Sequence, residues 1–154
     1  MVAASVGDVD EYNNVRVWIA RYSNGDWYTS LNFNGVYPNL AAYLNERGQN
    51  NLALCSLGPA GVYYARWRDG RFMSWASKEI NDKIRSAESD GSHVKAIALG
   101  YGGSYVISFG SRTNTGWTGL GTKWSLKGYY PGLQQFLGDH IRAISYRTRH
   151  VQSD

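Results

Sequence analysis

Aromatic residues are the chain's most distinctive chemical resource: 6 Trp, 12 Tyr and 4 Phe beside 18 Gly in 154 residues. Trp75, Trp117 and Trp124 fall in turn or third-strand positions, in the company of Asp69, Arg71 and Asn114. An indole offers a flat apolar face and one N–H handle. Beside amide, carboxylate and guanidinium groups it suits a sugar ring, whose C–H face stacks and whose hydroxyls need fixed donors and acceptors. These six residues are therefore the candidate ligand-binding set. Other chemistry has less to work with. His93, His140 and His150 are far apart and show no His-x-x-x-His spacing, and Cys55 is the only cysteine, so no zinc cluster is specified. Glu11, Glu46, Glu79 and Glu88 could form a carboxylate pair only through the fold, because no motif sets one. The glycine-rich segments at Gly58-x-x-Gly61 and Gly100-x-Gly102-Gly103 join strand to strand and lack the helix N-terminus of a phosphate site. The reading is non-enzymatic, with no catalytic residue, metal or cofactor.

The elements that must position those aromatics are repeated. Leu57-Gly58-Pro59-Ala60-Gly61-Val62-Tyr63-Tyr64-Ala65-Arg66-Trp67 returns as Leu99-Gly100-Tyr101-Gly102-Gly103-Ser104-Tyr105-Val106-Ile107-Ser108-Phe109. Trp18, Ala20 and Tyr22 stand where Tyr63, Ala65 and Trp67 stand later, and this shared register argues for a repeated supersecondary unit. Alternation along these strands assigns the Trp18/Ala20/Tyr22, Tyr63/Ala65/Trp67 and Tyr105/Ile107/Phe109 faces to the interior. Asn24-Gly25 and Asp69-Gly70 are hairpin formers, tolerant of the positive φ of tight turns. The third copy carries Gly110 to Gly116 instead, which reads as a longer polar loop leading into Trp117.

Each hairpin is followed by a helix signal. Pro38 with Leu40 and Leu44, and Pro131 with Leu133 and Leu137, have a proline at the first turn and an apolar stripe behind it. Ser77 caps a middle helix carrying Ile80 and Ile84, with Glu79 and Lys83 as an i,i+4 pair. All three apolar pairs are expected to pack on the sheet. The fold class is mainly β with short helices (α+β): about three tandem β-hairpin-plus-helix repeats, in a twisted antiparallel sheet or a closed propeller-like or prism-like arrangement. One repeat-built domain spans 1–154, with units at about 1–49, 50–91 and 92–140 and a last leading strand at 141–147, whose centre is Ile141 to Tyr146.

A net charge of +4 is modest, and the arginines and lysines are scattered among Asp69, Glu79, Asp82, Glu88 and Asp90. Nucleic-acid binding is therefore not expected. Cys55 reads as a small core residue, and a single cysteine excludes an intrachain disulfide. No apolar stretch approaches membrane-spanning length, and the first residues lack a basic head and a secretory apolar core. The expected location is cytoplasmic, or exported without a secretory signal peptide. Edge strands of a glycine- and aromatic-rich sheet tend to be covered, and multiple sites add avidity, so a homodimer is expected.

The run from Gly58-x-x-Gly61-x-Tyr63 through Asp69-Gly70 to Trp75, echoed at Gly100 to Phe109, resembles the glycine/aromatic repeat of fungal lectin-like proteins, including fruiting-body ones. The resemblance covers most of the chain through short motifs. Tachylectin-like and propeller lectins share the aromatic/Asp-Gly character, whereas the helices led by Pro38 and Pro131 depart from an all-β blade. It implies a lectin-like protein and assigns no residue a ligand role. Together the readings give a non-enzymatic carbohydrate-binding protein, with a glycan or glycoprotein as partner. The alternative is a protein–protein interaction module with an aromatic and arginine surface.

Overall fold

The computed structural model describes residues 1, 3–10, 14–89 and 91–139. The expected last strand, together with Glu11, His140 and His150, lies outside the described residues. Three units follow one another. The first contains β1 (Ala3–Asp10), β2 (Val15–Arg21), β3 (Trp27–Thr29), α1 (Phe33–Val36) and α2 (Pro38–Arg47). The second contains β4 (Leu52–Leu57), β5 (Tyr63–Trp67), β6 (Phe72–Trp75) and α3 (Lys78–Ala87). The third contains β7 (Ser92–Leu99), β8 (Tyr105–Thr113), β9 (Gly116–Ser125) and a helix, α4, over 131–139. Each unit forms its own three-stranded antiparallel sheet in sequence order, so the described strands make three separate sheets instead of one continuous sheet.

Local chemistry accounts for these elements. The β2–β3 and β5–β6 turns close through Tyr22 N–H to Asp26 C=O at 2.9 Å and Trp67 N–H to Arg71 C=O at 2.8 Å. Gly25 at φ 94° and Gly70 at φ 87° take the left-handed positions that such turns require. The Ser77 hydroxyl caps α3 by accepting from Ile80 N–H. The expected Glu79–Lys83 pair is replaced by two others: Lys78 with Asp82 at 2.6 Å along the helix, and Glu79 with Lys127 at 2.8 Å. The distant lysine reaches Glu79 because the turn after β9 lies over α3.

The units stack, and the stacking decides which face of each sheet is buried. Call front the face of the second sheet carrying Tyr63, Ala65 and Trp67, and back the face carrying Tyr64. The front of the second sheet packs against Val17, Ile19 and Trp27 of the first sheet and Leu40 and Leu44 of α2. Its back, with Leu54 and Phe72, packs with Ile80, Ile84 and Ala87 of α3 against Val94, Tyr105 and Ile107 on the front of the third sheet. The expected interior face is thus correct for the second and third units, whereas in the first only Ala20 of the three is buried. Trp18 and Tyr22 are 38% and 44% exposed, while Val17 and Ile19 on the opposite side are fully buried. A front face is buried only by a unit before it, and the described residues contain none ahead of the first sheet.

The helices obey the same rule. Leu40, Leu44, Ile80 and Ile84 are buried between sheets, as expected, whereas Leu133 of α4 is 43% exposed and Leu137 half-buried. Among the described residues no sheet follows the third to cover them. The third hairpin also differs from expectation. The supposed loop at 110–116 is mostly strand: Arg112 pairs with Trp117 and Thr113 with Gly116, leaving Asn114–Thr115 as a tight turn. Its polar, β-branched residues extend the ladder beyond the core, where no apolar alternation marks a strand. Among the described residues, no helix is long and apolar enough to cross a membrane.

Candidate functional site

The six candidate residues occupy separate places. Asp69 and Arg71 sit in the β5–β6 turn, where Arg71 Nε lies 3.6 Å from Asp69 Oδ2 and Arg71 N–H donates to Asp69 Oδ1 at 3.0 Å. Their polar groups serve their own turn. Trp75, 60% exposed, ends β6 opposite Tyr63, roughly 13 Å along the strand from Arg71. Asn114 opens the tip of the β8–β9 hairpin and is exposed, with half-buried Trp117 just inside it, opposite Arg112. Trp124 faces Val106 near the far end of β9, roughly 23 Å from Trp117. One shallow sugar site cannot use both.

Trp124 borders a large hollow. A cleft of about 680 Å³ is lined by Trp124, Gly128, Pro131, Gln134, Gln135 and Asp139, among others. Its shape follows from the turn joining β9 to α4. Leu126 is buried, Lys127 and Gly128 take φ of 50° and 78°, and Tyr129 N–H returns to Leu126 C=O at 2.9 Å. This reversal directs α4 back past the indole, with Pro131 in the first turn, which needs no N–H there. Lys127 Nζ anchors the turn on Glu79, and that hydrogen bond raises the pKa of the ammonium. Two side-chain amides and a carboxylate then share one opening with an indole face. Each Gln supplies both donor and acceptor atoms, and Asp139 supplies acceptors.

Trp124 also departs from the repeat. The matching β-ladder positions, opposite Ile19 in the first sheet and Tyr64 in the second, hold Thr29 and Ser74. An indole there is specific to the third unit and is not a recurring core anchor. Sequence reasoning found Trp124 but missed Gln134, Gln135 and Asp139. The available signal was this contrast with Thr29 and Ser74, followed within one short turn by a polar-faced helix. No protein-family model, curated protein or solved structure matches the chain.

A second polar cluster is buried at the seam between the second and third units. Glu88, whose side chain is 2% exposed, accepts from the Tyr64 hydroxyl and from Val94 N–H at 2.9 Å, and meets His93 Nδ1 at 2.8 Å. Arg66 Nε lies 3.9 Å away, and Arg66 Nη2 donates to Val94 C=O at 3.1 Å. Burial, the hydrogen bond to Glu88 and the Glu88 charge all push the Tyr64 phenol well above its ordinary pKa. The cluster has the polar groups of an acid–base site but is filled by its own members, and it ties α3, the second sheet and β7 together. Burial likewise pushes the Cys55 thiol up to about 12, which leaves it protonated and unreactive at neutral pH. Among the described residues, no group of three His, Cys, Asp or Glu side chains is placed to hold a metal.

Proposed function

We propose that this protein binds carbohydrate without enzymatic action, and that its principal site is the Trp124 cleft. The observation that carries the reading is the convergence of an off-repeat indole with Gln134, Gln135 and Asp139 around one opening. A pyranose ring stacks its C–H face on the indole, and its hydroxyls exchange hydrogen bonds with the amides and the carboxylate. A cleft of this size falls within the range of small-ligand sites, roughly 300 to 1,000 Å³. Exposed Trp75, and Trp117 with Asn114 at the hairpin tip, are the further shallow contacts for a longer glycan. Asp69 and Arg71 are weaker partners because they already engage each other.

The reading is tested by screening immobilised glycans and titrating a hit by tryptophan fluorescence. Trp124→Ala and Gln135→Ala are each expected to weaken binding by at least about tenfold, close to 1.4 kcal/mol. Trp75→Ala should change the affinity of a short ligand little. No binding at millimolar glycan, or unchanged affinity in Trp124→Ala, would overturn the assignment.

A further inference from the structure

Among the described residues the stack has two unlike ends, and each lacks what the other offers. At the front of the first sheet, Val6, Trp18, Tyr22 and Tyr28 are exposed, with the Tyr22 and Tyr28 rings edge to face at 5.2 Å. Their ladder counterparts in the second sheet are Leu57, Tyr63, Trp67 and Met73, of which the first three are buried by α2 and the back of the first sheet. At the back of the third unit, Leu133 stands where buried Leu40 stands in the first. A hollow of about 190 Å³ opens beside it, lined by Leu99, Val106, Leu126 and Tyr130, among others.

One hydrogen bond makes the correspondence specific. Tyr37, just before Pro38, accepts from Asp8 N–H at 3.0 Å within its own unit and donates to Gly58 C=O of the next unit at 2.6 Å. Tyr130, just before Pro131, keeps the first half of this arrangement, accepting from Tyr101 N–H at 3.5 Å. In the first unit the position of Gly58 belongs to Gly7, which follows Val6 as Gly58 follows Leu57. Gly7 is buried and its carbonyl accepts a hydrogen bond from Arg16 Nη1 at 3.4 Å, which a donor from another unit must displace.

We infer that the front of the first sheet docks onto the back of the third unit in a second copy of this chain. The new seam repeats the two internal ones. Tyr22 and Trp18 cover Leu133 and the hollow beside it, and the Tyr130 hydroxyl donates to Gly7 C=O across the boundary. Every chain carries both halves of the joint, so the partner needs no surface this chain lacks. The contact is heterologous, and repetition closes a ring where the rotation permits and otherwise extends a filament. This association does not rest on the carbohydrate reading, although the two surfaces adjoin: Val106 of the hollow pairs with Trp124 of the cleft, and Leu137, one turn from Leu133, lines the cleft.

Sedimentation equilibrium of the full chain, from micromolar to near-millimolar concentration, should give a mass that rises above 17.2 kDa. A front variant, Trp18→Ser with Tyr22→Glu, and a back variant, Leu133→Glu, should each stay monomeric with an unchanged circular dichroism spectrum. Mixed in equal amounts they should form a particle of twice the monomer mass, because one retains an intact back and the other an intact front. Tyr130→Phe, which alters no surface charge, should weaken association by about two- to tenfold through one lost hydrogen bond. A single 17.2 kDa species throughout the range would overturn the inference. So would a mixture that stays monomeric, or a front variant that still self-associates, since that contact would join like to like.

Discussion

Replacing Glu88 by Gln tests the claim that a buried carboxylate holds the second and third units together. The side chain keeps its shape and loses its charge. The Tyr64 hydroxyl and Val94 N–H then donate to a neutral amide oxygen, and each hydrogen bond loses about 1 kcal/mol of charge assistance. Arg66, with its side chain 12% exposed, is left without the carboxylate 3.9 Å from its Nε. Breaking a buried pair from one side costs about 3 to 5 kcal/mol. The amide retains part of the hydrogen bonding, so the lower end applies: about 3 kcal/mol, or a fall in melting temperature of about 6 to 12 °C for a chain of this length. Urea unfolding at neutral pH, followed by tryptophan fluorescence and circular dichroism, measures the free energy. Hydrogen exchange at Val94 locates it, because that amide loses its charged acceptor. A loss below about 1 kcal/mol would show that the carboxylate contributes as a solvated surface pair does, and the account of the seam would fail.

Two further outcomes follow from the same stacking. Leu40→Ala should destabilise the fold by about 2 to 5 kcal/mol, because the side chain is fully buried between two sheets. The equivalent Leu133→Ala should cost less than about 1 kcal/mol in dilute monomer, and equal losses in denaturant titrations would refute the difference between internal and terminal seams. Alkali should also weaken the fold. Burial raises the Tyr37 phenol to about 12 from its ordinary 10.0, so the unfolded chain ionises first. The stabilisation is complete below about pH 10 and is lost as pH climbs from about 10 to about 12. Urea midpoints over that range should fall less steeply in Tyr37→Phe, and an unchanged slope would exclude Tyr37 as a contributor.

The repeats made much of the architecture legible, because turn and cap residues act locally. Asn24-Gly25 and Asp69-Gly70 marked hairpins, and Pro38, Ser77 and Pro131 marked helix starts, whatever lay around them. Burial was harder to read, since Trp18, Ile19 and Ala20 are apolar on both sides of one strand. Only the position of a sheet within the stack decides whether its front is covered, and that is why Trp18 and Tyr22 are exposed where Tyr63 and Trp67 are not. The outer half of the third hairpin was misread for the converse reason: with both faces solvated, its residues had no pattern to show. Trp124 was visible by type. Gln134, Gln135 and Asp139 were not, because their place beside it depends on the two left-handed residues Lys127 and Gly128. Glu88 followed a helix like any surface carboxylate, and only the approach of β5 and β7 encloses it.

Each sheet is made from consecutive strands and each seam joins consecutive units, so the contacts that define this molecule are formed between neighbours along the chain. Long-range loop closure, which slows sandwiches and barrels, contributes little here, and order can spread from one unit to the next. A ribosome delivers the units in the same order. The first sheet can be complete before the second has emerged, with Val17, Ile19 and the apolar stripe of α2 as the surface on which Tyr63 and Trp67 settle. During synthesis the back of the newest unit is a template that the next unit removes from solvent. Apart from the front of the first sheet, which no later unit covers, the hazard to a growing chain is thus confined to one apolar surface at a time, at its most recently made end.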